Sequence, residues 1–565
     1  MSAKKKEKNL RNRQKPNFKN GKVGVKPDFP IVGIGASAGG LEALEGFFSH
    51  VPPKPNMAFV VIQHLAPKHK SLMDSILKRR TQMDVLAVED GKKIEPNCVY
   101  LNPPDKDVAI MDGTLHLMDP VQRHGIRLPI DYFFRSLAQD QREKAICIVL
   151  SGTATDGTLG VRAIKGEGGM AMAQEEKQAQ YDSMPKSAID TGLVDFILPV
   201  EKMSEELMRY AKHPYIKAPE RITSAEEKFE EILSKIFLAV RAATGHDFSN
   251  YKQSTTRRRI QRRMAVHQID DIADYLRYLQ QNSAEVGVLD KDLYIRVTNF
   301  FRDPDAFDVL NQKVILTLLK GKNPETSLRV WVPGCASGEE AYSIAIMFTE
   351  AMESLKKNFD VQIFATDIDA ESIERGRRAT YPESIAADVS DERLKRFFKK
   401  DENTYRLKQE IRDMVVFAVQ NLIKDPPFSK LELVSCRNLL IYMDSELQKK
   451  VFPLFYYTLT KGGFLFLGPS ESIGVFTDFF ALVDTKWKIF KRKQPAGEKV
   501  AGYVPPPFYE VTFGNARTET GKEVVGTKIR QLAEKLMLEH YAPPCVLIDE
   551  KYNILYFHGK TDTFL

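Results

Sequence analysis

Three residues far apart in the chain carry the side chains of a nucleophile, a base and an orienting acid: Ser37, His64 and Asp156. Each follows an apolar, β-branched run (PIVGIGA, MAFVVIQ and AICIVL), so each is expected at or just beyond the carboxyl end of a strand. In an open parallel sheet such ends converge on one crevice. A serine, a histidine and an aspartate meeting there make a hydrolase relay. Ser37 stands where the strand turns through glycines into a helix, which holds its hydroxyl clear of the sheet as in a nucleophile elbow. The helix N-terminus adds free amides and a positive dipole end for an oxyanion. Taken singly, a serine in a glycine turn, a histidine ending a strand and an Asp-Gly are each commonly structural; their joint placement carries the reading. The same loop also satisfies G-x-G-x-x-A through Gly33, Gly35 and Ala38, the dinucleotide fingerprint. That use needs an acid about 20 positions on, and none occurs between Glu45 and Asp74.

A second glycine turn, WVPGCASGEEAYS, does have the acid. The following strand, VQIFATDID, ends in Asp367, the arrangement that grips the ribose of a nucleoside cofactor. No Gly-Lys-Ser/Thr follows the glycines, so it is not a Walker loop. No histidine occurs between His267 and His540, which speaks against imidazole acid–base or metal chemistry in this stretch, and no metal is expected. Methyl transfer from a sulfonium to an ionised carboxylate remains suitable, because the acceptor is already a nucleophile and alignment does the work.

The elements that must position these residues follow from the pattern of runs. Short apolar strands alternate with helices from about residue 29 to 215 and again from 298 to 493; residues 225–297 read as all-helical. The fold class expected is α/β: two doubly wound sheets, the first Rossmann-like, separated by a small all-α domain. Polar stretches at 216–224 and 494–520 read as linkers. Residues 521–565 contain a helix, VGTKIRQLAEKLMLEHY, and one hairpin, CVLIDEKYNILYFHG; a lone hairpin is not an independent fold, so a further domain is expected to continue from it. The net charge of +7 is uneven: residues 1–27 hold ten Lys/Arg against one acid, leaving 72 basic and 74 acidic residues elsewhere. Residues 1–28 are therefore expected to be a solvated basic arm on a near-neutral body, with no nucleic-acid partner implied. No apolar run reaches the roughly 18 residues of a membrane span. No signal-peptide core follows the N-terminus, and the five scattered cysteines lack any C-x-x-C; a cytoplasmic protein without membrane insertion is expected.

The set GIGASAGG, VVIQHLAP, LNPPDKDV, LSGTATDG and AQYDSMPKSAI resembles the catalytic domain of the chemotaxis protein-glutamate methylesterases, the CheB family, over about residues 29–215. The resemblance implies Ser37 as nucleophile, His64 as base, Asp156 as orienter and the backbone near Thr153 as oxyanion donor. The family's usual Gly-Met-Gly is here Gly152-Thr153-Ala154, and its upstream receiver domain is not expected in a 28-residue arm, so phosphorylation control of the esterase is not expected. From 225 to 493 the stretches VTNFFRDPDAF, GCASGEEAYS, FATDID, VQNLI and CRNLLIYM resemble the chemotaxis receptor methyltransferases, the CheR family, which implies a class I methyltransferase sheet using S-adenosyl-L-methionine. That resemblance implies Thr298 and Arg302 at the methionine end of the cofactor and Glu340 and Asp367 as acidic contacts. It further implies Asn421, Leu422, Asn438 and Leu439 as cofactor contacts and Tyr442 near the transferred methyl. The basic helix TTRRRIQRRM pairs Arg258 with Arg262 and Arg259 with Arg263 at i,i+4 spacing; in the family it faces the receptor, implying a docking face for an acidic helix. The final hairpin resembles the first strands of a PAS domain, implying a sensory or kinase partner. The function implied is bifunctional modification of a methyl-accepting receptor or similar signalling protein. The alternative is a signalling scaffold with one or both domains inactive.

Overall fold

The computed structural model describes residues 27, 29–64, 73–120, 127–217, 226–294, 298–494, 545–548 and 554–558. The basic arm, most of the first expected linker, the second linker and the helix expected near 525–541 lie outside these residues. The chain divides into two compact units, Met1–Tyr503 and Val504–Leu565.

The first sheet has seven strands: β1 (Ile31–Ala36), β2 (Ala58–Gln63), β3 (Asp84–Ala87), β4 (Cys98–Leu101), β5 (Ala145–Val149), β6 (Met170–Gln174) and β7 (Phe196–Leu198). Their order is β7-β6-β5-β1-β2-β4-β3, and every pairing is parallel. β1 and β5 are buried at every position, which is why their sequences are unbroken apolar runs. Helices α1 (Gly40–His50), α2 (Pro129–Gln141) and α3 (Thr158–Gly166) pack against the sheet. The chain builds outward from β1 through β2, then returns to add β5 on the other side. The crevice therefore opens beyond the ends of β1 and β5.

Four helices follow: α4 (Glu226–Thr244), α5 (Gln253–Val266), α6 (Ile272–Gln281) and α7 (Ser283–Leu293). Asp271 and Asn282 cap α6 and α7 through their side chains. The second sheet contains β8 (Leu328–Pro333), β9 (Val361–Asp367), β13 (Val415–Val419), β14 (Leu431–Cys436), β15 (Leu459–Leu467), β16 (Phe480–Asp484) and β17 (Ile489–Arg492) in the order β13-β9-β8-β14-β15-β17-β16. A small antiparallel sheet of β10 (Thr380–Pro382), β11 (Phe398–Asp401) and β12 (Thr404–Leu407) is inserted after β9. Helix α8 (Glu339–Leu355) leaves the glycine turn after β8. Here too the growth direction reverses, between β8 and β14, and only the pairs made by β17 run antiparallel. In the second compact unit, β18 (Cys545–Ile548) and β19 (Ile554–His558) pair antiparallel, as the hairpin pattern predicts; a PAS-like continuation would rest on residues outside those described. Among the described residues no helix is long and apolar enough to cross a membrane.

The helical segment is tied to the first sheet unit through buried charge. Arg262 is fully buried; its Nη1 donates to Asp195 Oδ1 at 2.5 Å and its Nη2 to Asp292. Lys165 Nζ joins Asp195 at 2.7 Å. Arg259 donates to the carbonyls of Asp292, at 2.8 Å, and Gly166, at 3.3 Å. Arg263 pairs with Glu285 at 2.6 Å. Burial pushes Lys165 down to about 8, helped by the Arg262 charge, and pushes Arg259 down to about 10.

These contacts correct the docking-face expectation. Arg259, Arg262 and Arg263 are 3%, 0% and 6% exposed, and their guanidiniums are spent inside the chain. Only Arg258 stays partly open, 3.9 Å from Glu143. The reason is geometric. Alternating arginines at i,i+4 line two faces of α5, and both faces are packed, one on the first sheet unit and one on α7.

Removing a buried partner leaves an uncompensated charge, so Arg262→Met should lower the unfolding free energy at pH 7 by about 3 kcal/mol in urea titration. Burial pushes Asp195 and Asp292 up, but Arg262 and Lys165 outweigh it and hold both below their ordinary 3.8. A depressed folded value means the native state binds fewer protons. The stabilisation is therefore complete above 3.8 and lost as pH falls through the folded values, and the gap between the variant and the parent should shrink in acid.

Candidate functional site

Ser37, His64 and Asp156 meet at the first switch point. Ser37 Oγ lies 3.1 Å from His64 Nδ1, and His64 Nε2 lies 2.8 Å from Asp156 Oδ2. Asp156 is 1% exposed. It accepts backbone amides from Ile130 at 3.0 Å, Asp131 at 2.8 Å and Gly157 at 2.9 Å, two of them from the first turn of α2. With Nε2–H given to that fixed carboxylate, the Nδ1 lone pair faces the serine. Asp131, beside it, is buried; burial and then the Asp156 charge push its carboxyl well above the ordinary range.

The loop after β5 forms the other wall. Gly152 must lack a side chain, because a Cβ there would lie 2.2 Å from Met184 Sδ and 2.9 Å from Ser37 Cβ. Ser37 N–H is spent on the carbonyl of Ser151 at 3.0 Å, so the serine's own amide is not an oxyanion donor. Thr153 is exposed in the same loop and is followed by Ala154 at φ +66°.

At the second switch point a cavity of about 370 Å³ opens. Thr298, Arg302, Glu340 and Asp367 all line it, as do Asn421, Leu422, Asn438, Leu439 and Tyr442. The sequence reading thus named nine residues that the fold gathers on one cavity. Gly334 turns the chain at φ +68°, where a Cβ would press to 2.9 Å from Leu439. Asp367 Oδ2 accepts the Ala336 amide at 2.9 Å, binding the glycine loop to the strand end. Glu340 accepts Ser435 Oγ at 2.7 Å and Arg437 Nη1 at 3.3 Å; burial pushes its carboxyl up while Arg437 pulls it down. Burial also pushes the Tyr442 phenol up, which keeps it neutral.

One cavity wall escaped the sequence reading. His246, Tyr251, Thr255, Thr256 and Tyr294 come from the helical segment. Lys252 N–H donates to Tyr442 O at 2.9 Å, Asp444 N–H to Asn250 O at 3.1 Å, and Lys424 Nζ to Gly245 O at 3.1 Å. The absence of histidine within the second sheet segment therefore does not leave the cavity without one: His246 Nδ1 faces Asp290 at 3.0 Å. Nothing in local spacing signals this contribution, which arises only from how the helices dock.

The cavity suits a nucleoside with a charged tail. Asn438 Oδ1 and Gln420 Oε1 are buried acceptors on its wall with no partner among the described residues, so both want a donor. Acids at Asp367 and Glu340, a cation at Arg302 and apolar flanks at Leu422 and Leu439 complete a donor and acceptor set that fits hydroxyls, an amino group, a carboxylate and a base.

Fold and sites together define a chain that joins a serine-hydrolase relay to a class I methyltransferase pocket. The comparisons make this specific. The family model for CheB methylesterase matches residues 32–207, that for the CheR methyltransferase all-alpha domain matches 231–293, and that for the CheR SAM-binding domain matches 296–489. An uncharacterized 104.1 kDa protein of Rhodobacter capsulatus is 35% identical over 518 residues, covering 87% of this chain and 54% of that protein. A chemotaxis protein methyltransferase of Borreliella burgdorferi is 31% identical over 248 residues, covering 43% of this chain and 88% of that protein. A protein-glutamate methylesterase/protein-glutamine glutaminase of Desulfotalea psychrophila is 28% identical over 188 residues, covering 32% of this chain and 52% of that protein. The chain thus spans about half the length of the Rhodobacter and Desulfotalea relatives. It belongs to the CheR methyltransferase family, with a CheB methylesterase domain fused ahead of the CheR all-α domain, and its cofactor is S-adenosyl-L-methionine.

Gly334→Ala should weaken S-adenosylmethionine binding about tenfold or more in calorimetry while leaving far-UV dichroism unchanged, because the added methyl strains a left-handed turn and displaces Leu439.

Proposed function

We propose that this chain both removes and installs methyl groups on glutamate side chains of a receptor-type signalling protein. The observation that carries the reading is the presence, on one polypeptide, of a contacting Ser37–His64–Asp156 relay and a separate cavity lined by all nine residues matched to the methyltransferase motifs.

In the hydrolytic half, the Ser37 hydroxyl attacks the ester carbonyl of a γ-methyl glutamate. His64 takes the hydroxyl proton at Nδ1 and returns it to the departing methoxide, which leaves as methanol. Water then attacks the acyl-serine, giving a proton to His64, which passes it to the departing Ser37 Oγ as the carboxylic acid is released. Asp156 holds the ring and stabilises the imidazolium that forms twice per cycle. The loop amide at Thr153 would stabilise the oxyanion, a role the spent Ser37 amide does not fill.

In the transfer half, S-adenosylmethionine supplies, when bound, a methyl group activated by a sulfonium. Asp367 would hold the ribose hydroxyls, Glu340 the amino group, and Arg302 with Thr298 the methionine carboxylate. Asn421, Leu422, Asn438 and Leu439 would fix the remainder. The acceptor carboxylate needs no base, so these residues contribute alignment and exclusion of water, with neutral Tyr442 beside the reacting centre.

Ser37→Ala should abolish methanol release from a methylated receptor fragment, and Asp156→Asn should lower it by about 10³–10⁴-fold, both with labelled methyl transfer preserved. Asp367→Ala should do the reverse, removing cofactor binding in calorimetry and leaving hydrolysis intact. A parent chain that binds cofactor but neither transfers nor hydrolyses would reduce the protein to a scaffold.

A further inference from the structure

The esterase unit reaches the methyltransferase cavity from outside. Arg162, on α3 of the esterase, places Nη1 3.2 Å from Glu339 Oε1. Glu339 is the first residue of α8 and is 2% exposed. Its two carboxylate oxygens also accept Ser337 Oγ at 2.9 and 2.8 Å. Ser337 belongs to the loop whose Gly334, Cys335 and Ala336 line the cavity. Ala336 in that loop is held at φ +46°, with its amide on Asp367. A chain of direct contacts therefore runs from the esterase arginine through Glu339 and Ser337 to the cofactor loop. Among the described residues, Arg162 is the cation that pairs with Glu339. A buried carboxylate without such a partner is costly.

A second link points the same way. Thr255 and Thr256 line the cavity from α5, and the same helix is held to the esterase through Arg262 on Asp195 and Arg259 on the Gly166 carbonyl. The esterase thus fixes both a loop and a helical wall of a cavity that, among the described residues, it does not itself line.

We propose that Arg162 is a positioning residue for methyl transfer, acting from the esterase domain through Glu339 on the cofactor loop, so that the methyltransferase pocket is complete only with the esterase docked. The proposal rests on the reading of the cavity as the S-adenosylmethionine site.

The test uses the whole chain and calorimetry with S-adenosylmethionine. Arg162→Ala should raise Kd about tenfold and raise KM for the cofactor with kcat at saturation nearly unchanged, while methanol release stays at the parent rate. Arg162→Lys should restore most of the affinity. In the Glu339→Gln background, Arg162→Ala should add little further loss, because the charge it serves is gone. Parent-like cofactor affinity in Arg162→Ala would overturn the proposal, as would full additivity with Glu339→Gln or an equal loss of methanol release. If the parent chain itself takes up no cofactor, the cavity reading falls, and the proposal with it.

Discussion

Arg262 has no contact with water, and a guanidinium in that position needs carboxylate partners, which its two terminal nitrogens find while its Nε has none among the described residues. Its two carboxylate partners belong to different parts of the chain: Asp195 immediately precedes β7 of the esterase sheet, and Asp292 lies in the last turn of α7 in the helical domain. Lys165 shares Asp195, and Arg263 shares the neighbourhood of Asp292. With the helical domain undocked, the Arg262–Asp195 pair would be lost, whereas Lys165–Asp195 and Arg263–Glu285 each lie within one domain. The orientation of α5 follows from that requirement, and with it the position of the residues that α5 and the preceding loop place in the cofactor cavity.

Both candidate sites answer to one topological constraint. A parallel sheet that grows first to one side and then to the other leaves a gap between two strand ends where successive loops part company. In the esterase the gap lies between β1 and β5, which brings Ser37 and Asp156 together, with His64 arriving from β2. In the methyltransferase it lies between β8 and β14, which brings the Gly334 loop and Asn438 together, with Asp367 arriving from β9. The contents differ: one gap holds an imidazole against a carboxylate, the other two acids, an arginine and buried amide oxygens without partners among the described residues.

Joining the two domains also changes what their surfaces offer. The arginines of α5 are occupied by esterase groups on one face and by α7 on the other, the esterase residue Thr155 accepts the Ser384 amide at 3.2 Å beside Asp156, and Arg135 pairs with Asp388 at 3.1 Å. Thr155 adjoins Asp156 of the hydrolase relay, and Ser384 and Asp388 belong to the segment between β10 and β11. The domains are therefore coupled through polar contacts of definite geometry, beside which Ala265 and Val266 at the C-terminal end of α5 pack on the esterase core.

Strand ends, glycine turns and the residues that follow them were legible in the linear sequence, because an all-buried strand must be an apolar run and a turn into a helix must contain residues that tolerate the bend. Ser37, His64, Asp156 and Asp367 were found on that basis; the other eight cavity residues came from the resemblance to family motifs that stay contiguous. The hairpin at the C-terminal end was legible for the same reason. The fate of the four arginines was not. An i,i+4 basic pattern is identical whether it meets water, a partner or a buried aspartate, and Asp195 and Asp292 lie 67 and 30 positions from Arg262. The contribution of His246 and the contact of Arg162 with Glu339, 177 positions apart, were equally hidden. Local covalent geometry and apolar periodicity are written into neighbouring residues. The pairing of buried charges across domains depends on which surfaces meet, and only the docked tertiary structure decides that.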